Sequence, residues 1–255
     1  MKGISTLSIV PVRSEPSDRS EMVSQVLFGE LFEIIEQRKN WSHIRLKYDD
    51  YTGWIDSKQI TFIDDKEAED ISSQPVAVTM DIVQVAINGH NLTPVVMGSS
   101  LPFYHEKKFF IGQKEFNYDG QVKILTKPEA KTISQNAYMF LNAPYLWGGR
   151  SPFGIDCSGF TQVIFKLSGI PLKRDAWQQG EQGTAVDSVD DSKEGDLAFF
   201  KNEDDKVVHT GIVLMNNHII HASGKVRVDR LDGNGIFNAE TNLYSHRLAG
   251  IKRYV

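Results

Sequence analysis

The chain has 255 residues, 40% of them hydrophobic, and a formal net charge of −5. That length can bury a sizeable core in one large domain or two to three small ones. The acidic balance excludes the basic footprint of a nucleic-acid or anionic-membrane binder, and no run of 18 apolar residues exists to cross a bilayer.

Residues 1–63 read as short strands. "GISTLSIVPVRSEPS" is a strand and a turn, and Phe32, Ile34, Trp41, Ile44 and Leu46 alternate around the "RKN" turn. Strands at this density suggest a small β-barrel. "DDKEAEDISSQP", residues 64–75, is acidic and turn-rich and reads as a linker. Residues 76–127 are again β-rich and suggest a second barrel. The opening residues carry no convincing signal peptide, because the apolar stretch is short and Pro11 and Arg13 follow at once. A cytoplasmic location is expected, and a single cysteine, unable to form an internal disulfide, fits a reducing compartment.

From residue 128 the pattern changes. Helical spacing runs from Pro128 to about Leu141, a helix is expected over about 157–168 and a shorter one over about 175–182. Strands follow at "DLAFFK", "VVHTGIVLM", "HIIHAS", "KVRVDRL" and "LAGIKRYV". Helices followed by strands give the α+β class for residues 128–255. "LDGNGIFN" reads as a Gly-rich loop, and "DSVDDSKEGD" as a solvated acidic loop without ordered calcium-ligand spacing.

Cys157, in "GIDCSGF", is the only cysteine. Asp156 suits an N-cap, so Cys157 falls in the first turn of a helix whose buried face is Phe160, Ile164 and Leu167. The helix dipole there is expected to lower the thiol pKa, and Gly159 permits close approach. A lone cysteine is otherwise most often simply buried. A nucleophile needs a base, and two candidates lie downstream. If the turn after "VVHTGIVL" centres near Asn216, His209 and His221 share a face of adjacent strands. One can accept the thiol proton while the other orients it. His218 breaks the parity and reads as a turn residue. His43, His90, His105 and His246 have no comparable context. Metal-ligand spacings such as C-x-x-C, H-E-x-x-H or H-x-H are absent, so no metal or cofactor is expected.

"PYLWGGRSPFGIDCSGF", "RDAWQQ", "EGDLAFF", "VVHTGIVL" and "IIHASGKVRV", in that order, resemble the NlpC-type cell-wall cysteine peptidases, which are papain-like. Residues 1–63 and 76–127 resemble the bacterial SH3-like modules that precede such domains. The resemblance implies hydrolysis of the γ-D-glutamyl–diamino acid bond of peptidoglycan peptides, with Cys157 as nucleophile, His209 as general base and His221 as the third, orienting residue. It places Tyr145 near the oxyanion and Trp147 on a pocket wall. The amide of Cys157 is a plausible oxyanion donor by its place at a helix start.

Members with two SH3-like modules and no export signal resemble enzymes that trim free peptides during cell-wall recycling and must recognise the amine of an N-terminal L-Ala. An ammonium needs acceptors and a counter-charge. Asp175 in "KRDAWQQ" matches the acid used for this, although it also suits a helix N-cap. Arg174 is expected to meet the substrate α-carboxylate. The position after Asp175 is Ala176, where the family often has Ser, and Ser158 is expected to share the load beside Asp156. From the first barrel, the resemblance points to Glu21 as a second acid and Tyr51 as an aromatic wall; otherwise these are a solvated loop acid and a barrel-surface aromatic. The expected partner is a small L-Ala-γ-D-Glu-diamino acid peptide, acted on by a monomer. The competing readings are an exported wall-remodelling endopeptidase and a non-catalytic wall-binding protein.

Overall fold

Val10 and Val12, Phe32 and Ile34, and Ile44 and Leu46 stand at alternate positions, and all six are buried. That period of two is what a strand with one covered face requires. A computed structural model describes residues 1–255, which divide into two units: Met1–Lys127 with Gly148–Ser151, and Pro128–Trp147 with Pro152–Val255. In the first unit, β1 (Lys2–Ile4), β2 (Ile9–Arg13), β3 (Met22–Leu27), β4 (Leu31–Arg38), β5 (Trp41–Leu46), β6 (Thr52–Asp56) and β7 (Thr61–Ile63) form one antiparallel sheet. Its order is β3-β2-β6-β5-β4-β1-β7.

Residues 64–75 are not a turn-rich stretch. They carry helix α1 (Asp65–Ser73), whose N-cap Asp64 accepts from the Glu67 amide at 2.7 Å. The D-x-x-E spacing is a capping signature, masked here because only Ala68 of the helix is buried. Beyond it lie β8 (Val76–Thr79), β9 (Val83–Asn88), β10 (Asn91–Val96), β11 (Lys108–Ile111), β12 (Lys114–Tyr118) and β13 (Val122–Leu125). They are arranged as β10-β9-β12-β11 and a β13-β8 pair. This second set does not have a core of its own. Phe109 and Phe116 stack with centroids 4.8 Å apart, and Phe28, just past β3, meets them edge-on at 5.6 and 5.9 Å, with Ile4 in the same cluster.

The segment Gly148–Ser151, with its short strand β14 (Arg150–Ser151), completes the first unit. Gly148 has φ +76°, and a Cβ there would stand 2.3 Å from the Met22 carbonyl oxygen, so only glycine fits. Arg150 is fully buried. It grips Glu30 with two nitrogens at 2.8 and 3.0 Å and donates to the Gln25 carbonyl at 2.6 Å.

The second unit contains α2 (Ile133–Tyr138), β15 (Gly154–Ile155), α3 (Cys157–Leu167) and α4 (Ala176–Gly180). Strands β16 (Thr184–Val186), β17 (Leu197–Lys201), β18 (Val207–Leu214), β19 (His218–Ser223), β20 (Lys225–Asp232), β21 (Gly235–Asn238) and β22 (Leu243–Arg253) follow. The sheet runs β16-β22-β17-β18-β19-β20-β21, and β21 also pairs with β22, so six strands close on themselves. The stretch read as a Gly-rich loop is therefore the β20–β21 turn and β21 itself. Ala198, Phe200, Val213, Ile219, Leu231 and Ile236 fill the enclosed side. Helix α3 packs against β18 and β19 and is buried on every side rather than along one face. No helix is long and apolar enough to cross a membrane.

Candidate active site

The nucleophile candidate is positioned by a cap. The Asp156 carboxylate accepts from the Gly159 amide at 2.6 Å, starting α3 so that Cys157 is its first residue. Arg174 holds that carboxylate with two nitrogens at 3.1 and 2.6 Å and donates to the Ser158 hydroxyl at 2.9 Å. Gln179 ties α4 to this turn, accepting from Thr161 at 2.7 Å and donating to the Ser158 carbonyl at 3.0 Å.

The base candidates stand on the β18–β19 hairpin. Leu214 pairs with His218 and Gly211 with His221, so the turn centres on Asn216, and Asn216 and Asn217 take left-handed φ values of 57° and 55°. His209, two residues before Gly211, is diagonal to His221 on the same face. Gly211 makes room for this: a Cβ there would stand 2.7 Å from the His221 Cβ. The two rings meet, His209 Nε2 to His221 Nδ1, at 2.9 Å. His221 Nε2 lies 3.0 Å from an oxygen of Asp229 on β20, which sits between Arg227 nitrogens at 2.7 and 2.9 Å. By strand parity, His209, His221 and Asp229 extend the enclosed side that Val213, Ile219 and Leu231 fill.

The carboxylate sets the tautomers along this chain. Asp229 can only accept, so His221 carries its proton on Nε2 and presents a lone pair at Nδ1. That lone pair accepts from His209 Nε2–H. His209 Nδ1 is then left unprotonated, as a base must be.

The thiol lies against β18, the strand that carries His209. The backbone amides of Thr210, the residue after His209, and of Ser158 lie close enough to the Cys157 sulfur to favour its ionised form. Burial pushes the thiol up to about 12, Asp156 adds to this, and the two amides and Arg174 oppose it. The dipole effect expected from the sequence is overridden, because Cys157 is 6% exposed and a thiolate there loses most of its hydration. Burial, then His246 and His221, hold His209 well below the ordinary imidazole range. Both shifts favour the uncharged forms, a neutral thiol and a neutral imidazole.

Tyr145 belongs to this cluster. Its amide donates to the Gly224 carbonyl at 3.0 Å and it bridges to Ile155. Burial and the neighbouring Cys157 and Asp156 raise its hydroxyl to about 12, so it stays a neutral donor near the sulfur. Trp147 is 59% exposed, in the second unit's loop ending where Gly148 begins. Asp175 is the N-cap of α4, in a capping box with Gln178, whose Oε1 accepts from the Asp175 amide at 3.0 Å. Arg174, expected to face a substrate carboxylate, is 1% exposed and engaged with Asp156 and Ser158. In the first unit, Glu21 is exposed ahead of β3, and Tyr51 packs against the sheet's core.

Two members of the constellation escaped the sequence reading. Asp229 was an acid among the alternating charges of "KVRVDRLD"; its period-two spacing from Leu231 was the only signal. His246 on β22 stacks on His209 with centroids 4.0 Å apart. The sequence around it carries no local signal, because β22 comes near His209 only by pairing with β17, the other neighbour of β18.

A capped thiol near an imidazole whose tautomer a carboxylate fixes through a second imidazole is the set of groups a cysteine peptidase uses. Residues 142–244 match the NlpC/P60 family, and residues 12–60 match the bacterial dipeptidyl-peptidase SH3 domain. The chain is 30% identical to the γ-D-glutamyl-L-lysine dipeptidyl-peptidase of Bacillus subtilis, over 78% of this chain and 71% of that one. It is 27% identical to the protein of the same name from Bacillus cereus, over 94% and 77%. A crystal structure of an NlpC/P60 family protein from Bacillus cereus shares the fold, with a TM-score of 0.86 at 23% identity, over 100% of this chain and 99% of that one. The chain belongs to the NlpC/P60 family of cysteine peptidases.

Proposed function

We propose that the protein hydrolyses the γ-D-glutamyl–L-diamino acid bond of small peptidoglycan-derived peptides with a free N-terminal L-Ala, releasing L-Ala-D-Glu. The observation that carries this reading is the Cys157 site with its His209–His221–Asp229 chain, in a chain similar over most of its length to proteins named for cleavage at γ-D-glutamyl-L-lysine. The papain-like arrangement of a nucleophile at a helix start and a base on the facing sheet supports it.

In the first step the Cys157 sulfur attacks the γ-carbonyl carbon as its proton passes to His209 Nδ1. The negative oxygen is met by the Cys157 amide and the Tyr145 hydroxyl. The imidazolium is stabilised through His221 by Asp229. Collapse breaks the C–N bond, and His209 returns the proton to the departing diamino acid nitrogen. Water, deprotonated by His209, then cleaves the thioester and restores the thiol. Asp175 supplies a negative charge for the substrate ammonium in this reading.

Incubation with L-Ala-γ-D-Glu-L-Lys, its diaminopimelate counterpart and their N-acetylated forms tests it. Release of L-Ala-D-Glu from the free-amine peptides, with acetylation slowing cleavage by roughly 100-fold or more, is expected when a charged, hydrogen-bonded group is lost from a site built for it. Equal cleavage of free and acetylated peptides would rule out amine recognition.

A further inference from the structure

Three imidazoles from three separate strands converge at one end of the closed sheet. His209 of β18, His221 of β19 and His246 of β22 each offer a ring nitrogen, and these nitrogens lie within 4.8 Å of one another. We propose that this cluster is a binding site for a divalent d-block cation of the zinc type, and that occupancy switches the peptidase off. The proposal goes beyond the peptidase reading and does not depend on which peptide is cleaved.

The second coordination sphere is already in place. A metal-bound histidine usually donates its other ring N–H to a carboxylate, which fixes the tautomer and raises the basicity of the ligating nitrogen. His221 does this with Asp229 at 3.0 Å, leaving Nδ1 on the side of the other two rings. His246 Nδ1 is held by the Ser245 hydroxyl at 2.8 Å, leaving Nε2. His209 Nε2 faces His221 Nδ1 at 2.9 Å. Zinc–nitrogen bonds of about 2.0–2.1 Å require nitrogens roughly 3.3 Å apart. The closure needed therefore falls on His246, the half-exposed member, which also lines a surface cleft with Val208, Tyr244 and Arg247. The nearby cations Lys201 and Arg247 are both paired with Asp205. Sequence spacing could not show this site, because its ligands stand 12 and 25 residues apart and meet only when β22 and β18 pair with the two edges of β17.

Inhibition follows from the tautomer. A metal on Nε2 of His209 replaces the proton that this nitrogen shares with His221. The neutral imidazole then carries its proton on Nδ1, the nitrogen that must accept from the Cys157 thiol. The proton leaves Nε2 for solvent, and one is taken up at Nδ1, so the ring's charge is unchanged. The thiol keeps its proton because its base no longer has a lone pair.

The test uses the full chain, free of any histidine tag, as Cys157→Ser, so that sulfur cannot serve as a ligand. Titration with Co2+ is expected to give one saturating site per chain with the intense visible bands of a four- or five-coordinate ion. His246→Gln in the same background is expected to weaken binding by no less than the roughly 10–100-fold that loss of an outer-shell partner costs, with circular dichroism confirming the fold. In the enzyme with Cys157 intact, Zn2+ is expected to inhibit reversibly, with activity restored by EDTA. No cobalt spectrum beyond that of the hydrated ion, or binding unchanged by His246→Gln, overturns the proposal. Zinc inhibition that persists undiminished in His246→Gln also overturns it, because the thiol alone would then be the metal's target.

Discussion

Arg150 in the first unit and Arg174 in the second each hold a buried carboxylate with two nitrogens, at 2.8 and 3.0 Å for Glu30 and at 3.1 and 2.6 Å for Asp156. The pairs are alike in chemistry and burial. They differ in what else the carboxylate holds. Glu30 accepts from the Leu27 amide at 3.0 Å and so fixes the bend after β3. Asp156 caps the helix that begins with Cys157 and lies close enough to raise its thiol. A third carboxylate, Asp229, pairs with Arg227 in the same manner and orients His221. The ion pair is thus a general device for immobilising an acid, and the neighbour of that acid decides whether it holds a bend or part of the candidate active site.

The largest effect expected within this comparison is at Asp229. Asp229→Asn keeps the shape but removes the charge that stabilises the histidine pair as the proton arrives. A loss in kcat of about 10³–10⁴ is expected, by analogy with amide substitution in a serine-peptidase triad. Steady-state kinetics on a folded variant checks this, and a loss below about tenfold would separate Asp229 from catalysis.

Arg174→Met is next. Removing one partner of a buried pair costs about 3–5 kcal/mol of stability, because the other charge is left uncompensated. It also leaves Asp156 unopposed beside the sulfur, so the thiol rises further and kcat/KM falls at least about tenfold, a single pKa unit being worth about 1.4 kcal/mol. The resting state of the thiol has its own measurement. With Cys157 held near 12 by burial, the thiolate fraction grows as pH rises. Alkylation by iodoacetamide should therefore accelerate throughout the range from neutral to alkaline pH, and more slowly in Arg174→Met. A rate already level below pH 7 would show a preformed thiolate instead.

Arg150→Met should cost a similar 3–5 kcal/mol of stability, read by denaturant unfolding. The comparison is sharpened by the double replacements. Glu30→Met with Arg150→Met should recover part of that stability, because no uncompensated charge remains although the Leu27 amide and the Gln25 carbonyl lose these partners. Asp156→Met with Arg174→Met should recover no activity, because the cap on the nucleophile's helix is gone.

The sequence made parts of this comparison legible and hid others. Asp156, Cys157 and the helix they begin are local features, written in a cap, a turn and an apolar spacing. His209 and His221 were accessible because a hairpin converts sequence separation into register. Arg174 was visible as a cation but not as the partner of Asp156, since 18 positions separate them and no period links α3 to the approach to α4. Glu30 and Arg150 are 120 positions apart and gave no joint signal. The same distance problem hid His246, and the polar surface of α1 hid a helix whose cap was in plain view at Asp64. Burial itself was the other unreadable quantity. The expected depressed thiol pKa rests on the helix dipole alone, and the enclosure of α3 on all sides reverses its sign.

The smallest effect isolates burial as the variable. Lys107 and Asp119 form an ion pair at 3.0 Å in the first unit, as close as the buried ones, but both side chains are largely exposed. Exposed pairs gain little, because water solvates the separated charges almost as well and long side chains lose freedom on pairing. Asp119→Asn should therefore leave the midpoint of denaturant unfolding where it is, in the same assay that registers Arg150→Met. High salt should matter as little, since screening acts on an interaction already weakened by solvent. If Asp119→Asn destabilised the chain as Arg150→Met does, pairing rather than enclosure would set the cost, and the buried arginine pairs would lose the physical basis of their contrast with exposed ones.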